Sequence, residues 1–286
     1  FASAMILPVA QAYVGVITPP GREGFTMGLF NMALFGGLSA GPLLGGAVKD
    51  LFGIQTSFLS MAALCLAGFF LCLSLLPPEA SARAGRGELP RQSRYRNLLA
   101  DRPVLALFAF RLGFTTCIGM VWAFLPLLAG TRHGLSSTET GVVVMINVLA
   151  SGLLQTPMGW VADRIGKRGL IAAGGLLASA AMVSLHQASS FGHLFLANAL
   201  LGVAGGLSFP AVMALGVIQG RRGERMGSVM GVLAMAHSMG MLAGPLIGGL
   251  VLDLLSFAVL FGSGAAIIGG GTLLFLVLAV EPRRKA

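Results

Sequence analysis

The sequence predicts an all-α polytopic membrane protein, and three observations carry that expectation. Of its 286 residues, 56% are hydrophobic and only 10% are charged. Soluble domains carry about 25% charged residues, so this chain has too little charge to solvate its own surface in water. Its mean hydropathy is +0.87, and apolar runs long enough to cross about 30 Å of hydrocarbon recur along it. The basic residues sit in short clusters between those runs. That is the patterning of loops beside a membrane. It argues against nucleic acid as the reason for the net charge of +9.

Nine apolar segments can be placed, at 1–18, 25–49, 55–76, 103–128, 139–162, 169–187, 191–218, 226–251 and 256–280. Each is predicted to be a helix, because a helix pairs its own backbone groups in lipid and an open sheet leaves an edge unpaired. The runs are too long and too evenly apolar for a β-barrel. The 42 glycines and 13 prolines suit membrane helices, where small residues let backbones approach. Cys65, Cys72 and Cys117 fall inside apolar runs without metal-ligand spacing and read as packing residues. No metal or organic cofactor is expected. The chain opens on Phe1, already within an apolar stretch, and reads as part of a longer protein.

Orientation follows from the loops. Odd-numbered loops and the tail hold Arg22, the arginines between 83 and 102, Arg164, Lys167, Arg168, Arg221, Arg222, Arg225, Arg283, Arg284 and Lys285. Even-numbered loops hold only Lys49 and Arg132. The positive-inside rule therefore predicts odd loops and the C-terminus in the cytoplasm. One compositional break interrupts the pattern. Residues 77–102 are polar and basic, and are expected to be a cytoplasmic linker with a short amphipathic helix near 95–99. It divides the chain into 1–76, with three spans, and 103–286, with six.

The chain also repeats itself at an offset of 203 residues. Residues 22–50 (REGFTMGLFNMALFGGLSAGPLLGGAVKD) align with 225–253 (RMGSVMGVLAMAHSMGMLAGPLIGGLVLD), identical at 15 of 29 positions. Loop residues match as well as apolar ones, so segments two and eight are predicted to be equivalent helices of two related halves. Segment eight is fifth in its block of six. If segment two is also fifth, three helices are expected before Phe1.

Within the repeat, Gly28, Gly37, Gly41, Pro42, Gly45 and Gly46 form the pattern G-x8-G-x3-G-P-x2-G-G. It recurs in full at Gly231, Gly240, Gly244, Pro245, Gly248 and Gly249. A glycine stripe admits a neighbouring helix at short range, and an internal proline permits a bend. The pattern resembles motif C, the antiporter motif of helix five in major facilitator superfamily exporters. A second pattern, Gly159-Trp-Val-Ala-Asp163-Arg164-Ile-Gly166-Lys167-Arg168, resembles that family's motif A loop. Gly166 permits a tight turn. Asp163 is an anion suited to the positive N-terminus of a neighbouring helix, and Arg164, Lys167 and Arg168 hold the loop on the basic side. A phosphate-binding loop is rejected, since Val161 and Arg168 stand where that motif needs Gly and Ser or Thr.

The resemblance covers the whole chain, as family helices four to twelve. It implies two pseudo-symmetric six-helix bundles, with helices one to three absent. It also implies that Asp163 latches onto the start of segment two in one conformation and releases it in another. The function it implies is proton-coupled efflux of a drug or metabolite by alternating access, in a bacterial cytoplasmic membrane. A monomer is expected, with lipid and a small-molecule substrate as partners. An uptake symporter of the same fold and a non-transporting fragment stay open as alternatives. Nothing in the sequence suggests an enzyme: no intramembrane carboxylate cluster or Ser/His pairing is present.

Polar residues inside the apolar runs are the remaining site candidates, because their insertion in lipid is unfavourable. Arg111 lies about 12 Å into its helix. It either snorkels back to the interface or faces a central cavity. His237 lies within about 20° of Gly244 and Gly248 on a helical wheel, and is either a proton carrier or an interhelical hydrogen bonder. Asn31, Asn147, Gln155 and Asn198 are cavity or interhelical residues. Gln11 joins them because family helix four lines the cavity. Trp122 and Phe209 read as lipid-facing or packing aromatics.

Overall fold

The structure, a computed structural model, describes residues 2–75, 98, 100–135, 137–222 and 225–279. Within these, the side chains of residues 2–5, 39–43, 45–47, 49, 50, 137 and 138 are not described. Of the expected short helix near 95–99 only Leu98 is described, helical and buried; the linker over 77–97 and the basic tail lie outside the described residues. So do the side-chain environments of Gly41, Pro42, Gly45, Gly46 and Lys49.

The described residues form nine helices and no strand: α1 (Ala2–Ile17), α2 (Glu23–Phe52), α3 (Ile54–Leu75), α4 (Arg102–His133), α5 (Ser137–Ile165), α6 (Lys167–Gln187), α7 (Phe191–Arg222), α8 (Met226–Leu254) and α9 (Phe257–Leu278). Seven of them are long and apolar enough to cross a membrane, and the segment Ile6–Ile17 is apolar but shorter. The helices end where local chemistry stops them. Gly134 closes α4 at φ 62°, and Gly166 turns α5 into α6 at φ 114°, a backbone conformation that side chains with a Cβ rarely adopt. Ser256 caps α9, accepting from the Val259 N–H at 3.5 Å.

In lipid, apolar side chains gain little by leaving the solvent, so helices associate through close packing and buried polar contacts. The core accordingly runs between α4, α6, α7, α8 and α9, through Phe110, Phe114, Met120, Met182, Phe261 and Phe275. Helix α5 packs on α7 and on α2, while α8 packs on α4 and α9 on α4 and α6. The first part of the chain reaches the second through α2, which lies on α5 and α7, and through α1, which lies on α8. Helix α3 touches only α2 among the described helices, and none of its residues is buried. Its leucines and phenylalanines are more than half exposed, as suits a lipid-facing surface.

Candidate functional site

The first cluster sits where the basic loops gather. The first turn of α2 leaves backbone N–H groups without partners in its own helix. Asp163, near the end of α5, supplies them: Oδ1 accepts from Gly24 N at 2.8 Å and Oδ2 from Phe25 N at 2.9 Å. The carboxylate also meets the helix dipole with the favourable sign. Lys167, one turn on, holds Asp163 Oδ1 at 3.2 Å. The approach is possible because both helices carry glycine there. A Cβ on Gly24 would collide with the Gly159 carbonyl, and one on Gly159 with the Gly24 carbonyl. Arg164 points elsewhere and stacks on Trp160, 3.6 Å from the ring centre. Arg168 is exposed, beside Pro103 and Gln219.

A second clamp lies beside the first. Arg221, at the end of α7, pairs with Glu23 Oε1 at 2.8 Å. It also donates to the carbonyls of Gly15, at 3.1 Å, and Thr18. One side chain thus caps the C-terminus of α1 and neutralises the acid that opens α2. This clamp is not legible in the sequence, where Arg221 reads only as a loop charge and Glu23 belongs to no motif. The available signal was an acid flanking motif C with no local basic partner on its helix. Arg225 pairs separately with Asp101 at 3.2 Å, tying the starts of α8 and α4.

The glycine stripes of the two motif C copies meet different surroundings. Gly240, Gly244 and Gly248 lie against α4, where added Cβ atoms would strike Thr115, Thr116 and Phe124. Pro245 packs there against Gly119. Gly231 has open space around it, and Gly249 meets only Phe124, at 3.9 Å. In the first copy, Gly28 packs against the Gln155 backbone, while Gly37 has open space.

Deeper in the bundle, the polar candidates separate into groups. Asn147 and Asn198 clasp α5 to α7. Asn147 Nδ2 donates to Asn198 O at 3.3 Å, and Asn198 Nδ2 to Val143 O at 2.6 Å. Asn31 Nδ2 donates to Gln155 Oε1 at 3.3 Å, and Gln155 Nε2 to Ser151 Oγ at 3.4 Å, linking α2 to α5. Gln11 is buried on α1. Trp122 is 39% exposed and faces outward.

Arg111 and His237 form the last group. The Arg111 guanidinium carbon lies 4.4 Å from the centre of the Phe209 ring, a stacking geometry worth about 0.5–2 kcal/mol. Phe209 is itself interior. It meets Phe114 edge-on at 4.8 Å and Phe35 of α2 at 6.4 Å. The guanidinium therefore lies over an interior ring, and Phe209 is its platform as well as a packing aromatic. Arg111 Nε is buried without a hydrogen-bond partner, and so is His237 Nδ1. Ser151 borders the same spot, since a Cβ on Gly205 would stand 3.0 Å from its hydroxyl and 3.5 Å from the Phe209 ring. Among the described residues no three acids, cysteines or histidines are grouped to hold a metal.

Comparison with known proteins identifies the architecture. The profile described as Major Facilitator Superfamily matches residues 1–137 and again 111–286. An uncharacterized MFS-type transporter of Methanocaldococcus jannaschii, MJ1560, is 25% identical over 259 residues, spanning 90% of this chain and 66% of that protein. The multidrug resistance protein MdtG of Dickeya zeae is 26% identical over 267 residues, spanning 92% of this chain and 65% of that protein. The chain thus covers slightly under two thirds of the length of these relatives. Among solved structures, the human organic anion transporter MFSD10 (TETRAN) superposes with a TM-score of 0.72 at 20% identity, covering 94% of this chain and 67% of that one. The Escherichia coli fucose:proton symporter FucP gives 0.69 at 15% identity, covering 96% and 74%.

Proposed function

We propose, on the premise that the chain belongs to the Major Facilitator Superfamily, that it exports small molecules by alternating access in exchange for protons. It is a multi-pass membrane protein of a transporter family, not of an enzyme family. In this reading residues 1–76 belong to one bundle and 103–286 form the other, with 77–102 as the cytoplasmic linker. The basic loops and the C-terminus face the cytoplasm of a bacterial cell, as the loop charges require. The protein works as a monomer.

One observation carries the reading. Asp163 binds the first turn of the motif C helix through two backbone N–H groups, although 139 residues separate it from Gly24. Such a contact has two states, made or broken, and a shift of α2 relative to α5 decides between them. Arg221 adds a second contact of the same kind between α7 and α1–α2. Transport needs a bistable element of this sort between the two halves. The export direction draws on the doubled motif C and on relatives named for multidrug resistance.

The test uses the protein in proteoliposomes under an imposed pH gradient. Substrate movement coupled to opposite proton movement is expected, and it should collapse when a protonophore removes the gradient. Movement of substrate and protons in the same direction would replace export with symport. No movement of any compound in a broad panel would sink the transport reading.

A further inference from the structure

We propose that the substrate is an organic anion with a flat apolar body, bound with Arg111 as its counter-charge and Phe209 as its stacking face. The inference rests on the transport reading and names the substrate class for it.

Arginine stays protonated in proteins, so Arg111 brings a permanent positive charge about 13 Å along α4 from its first residue. No acid answers it among the described residues. Glu23, Asp101 and Asp163 are engaged with Arg221, Arg225 and Lys167 at helix ends. Asp50, Glu139 and Asp253 lie in the first or last turns of their helices, and the four remaining acids fall outside the nine apolar segments. A titratable neighbour is itself basic: His237 of α8 lies within electrostatic range of Arg111. The site therefore has one sign, and it is positive.

Its hydrogen-bonding capacity points the same way. Arg111 Nε and His237 Nδ1 are both buried without a partner. An interior arginine without an acid is unfavourable in a membrane and marks a substrate path. A carboxylate or comparable oxyanion matches the guanidinium fork with two parallel N–H···O bonds. The apolar part of the ligand has a defined place as well. Phe209 stacks on Phe35 of α2 at 6.4 Å and meets Phe114 of α4 edge-on at 4.8 Å, so an apolar group beside Arg111 is bordered by aromatic rings from both parts of the chain. A cation would meet repulsion there, and a neutral ligand would leave the charge unanswered.

The experiment measures equilibrium binding to the purified full chain in lipid nanodiscs. Three probes share one ring system: naphthalene-2-carboxylate, 2-naphthamide and 2-naphthylmethylammonium. The carboxylate is expected to bind at least about tenfold more tightly than the amide, the size of one charge-assisted pair, and the ammonium most weakly. Arg111→Gln should abolish the preference for the carboxylate. Arg111→Lys should keep the preference at lower affinity, since lysine retains the charge and loses the planar fork. Phe209→Leu should weaken carboxylate and amide by a similar factor.

Wild-type binding of the amide or ammonium as tight as the carboxylate overturns the proposal, and so does absence of carboxylate binding at millimolar concentration. An unchanged preference in Arg111→Gln does the same. If that variant does not fold, the wild-type ratio and Arg111→Lys still decide. Counterflow in proteoliposomes separates the two readings. Carboxylate binding without movement defeats transport and keeps the anion site. Movement of neutral or cationic compounds that ignores Arg111 defeats the anion site and keeps transport.

Discussion

Asp163 does with one carboxylate what a helix N-cap ordinarily does with a neighbouring residue, but it does so from another helix. Both of its oxygens accept backbone N–H groups of α2, and Lys167 holds it from its own helix turn. Asp163→Ala removes both acceptors and should lower stability by about 1–2 kcal/mol, the size of a lost cap. Asp163→Asn retains one acceptor and should cost less. Thermal unfolding of the purified chain reads both, and a ranking with Asn below Ala would contradict the capping role. The sequence suggested this contact through a motif resemblance, because acid, glycine and basic residues sit together in one loop. The Arg111–Phe209 platform was not legible in the same way. Those residues are 98 positions apart, and nothing in their local context links them.

Glycines with the same spacing in the two motif copies do different work as elements pack. On α8, Gly244 faces the α4 backbone at Thr116 and Gly119, while Gly231 faces open space. Gly244→Val should therefore push α8 from α4 and destabilise the protein by about 1–3 kcal/mol. Gly231→Ala should change stability by less than about 0.5 kcal/mol. Unfolding of the two variants side by side checks this. Equal losses would mean that the stripe acts through backbone flexibility and not through contact. The spacing alone predicted a packing face. It could not say which glycines of that face are covered, because cover depends on where the neighbouring helix crosses.

At the scale of the whole molecule, Arg221 and Glu23 join the end of α7 to the α1–α2 corner. E23R and R221E each place like charges together and should each reduce transport. The double variant E23R/R221E should restore part of the loss, but not all of it, since Arg221 also holds the carbonyls of Gly15 and Thr18. The pair is partly exposed, so its coupling should be about 1 kcal/mol or less. Transport rates of the four chains test it; a double variant no better than the worse single one would remove the pair from the proposed switch. The helical class, the positions of the helices and the residue repeat between segments two and eight were set by the sequence alone, because lipid leaves a long apolar run one way to pair its backbone and the repeat is written in the residues. Which side chains share a site was decided only by the tertiary structure. Arg111, His237 and Phe209 lie on three helices; only the crossing of α4 and α7 sets the guanidinium over the ring, and the packing of α8 on α4 brings His237 within electrostatic range of it.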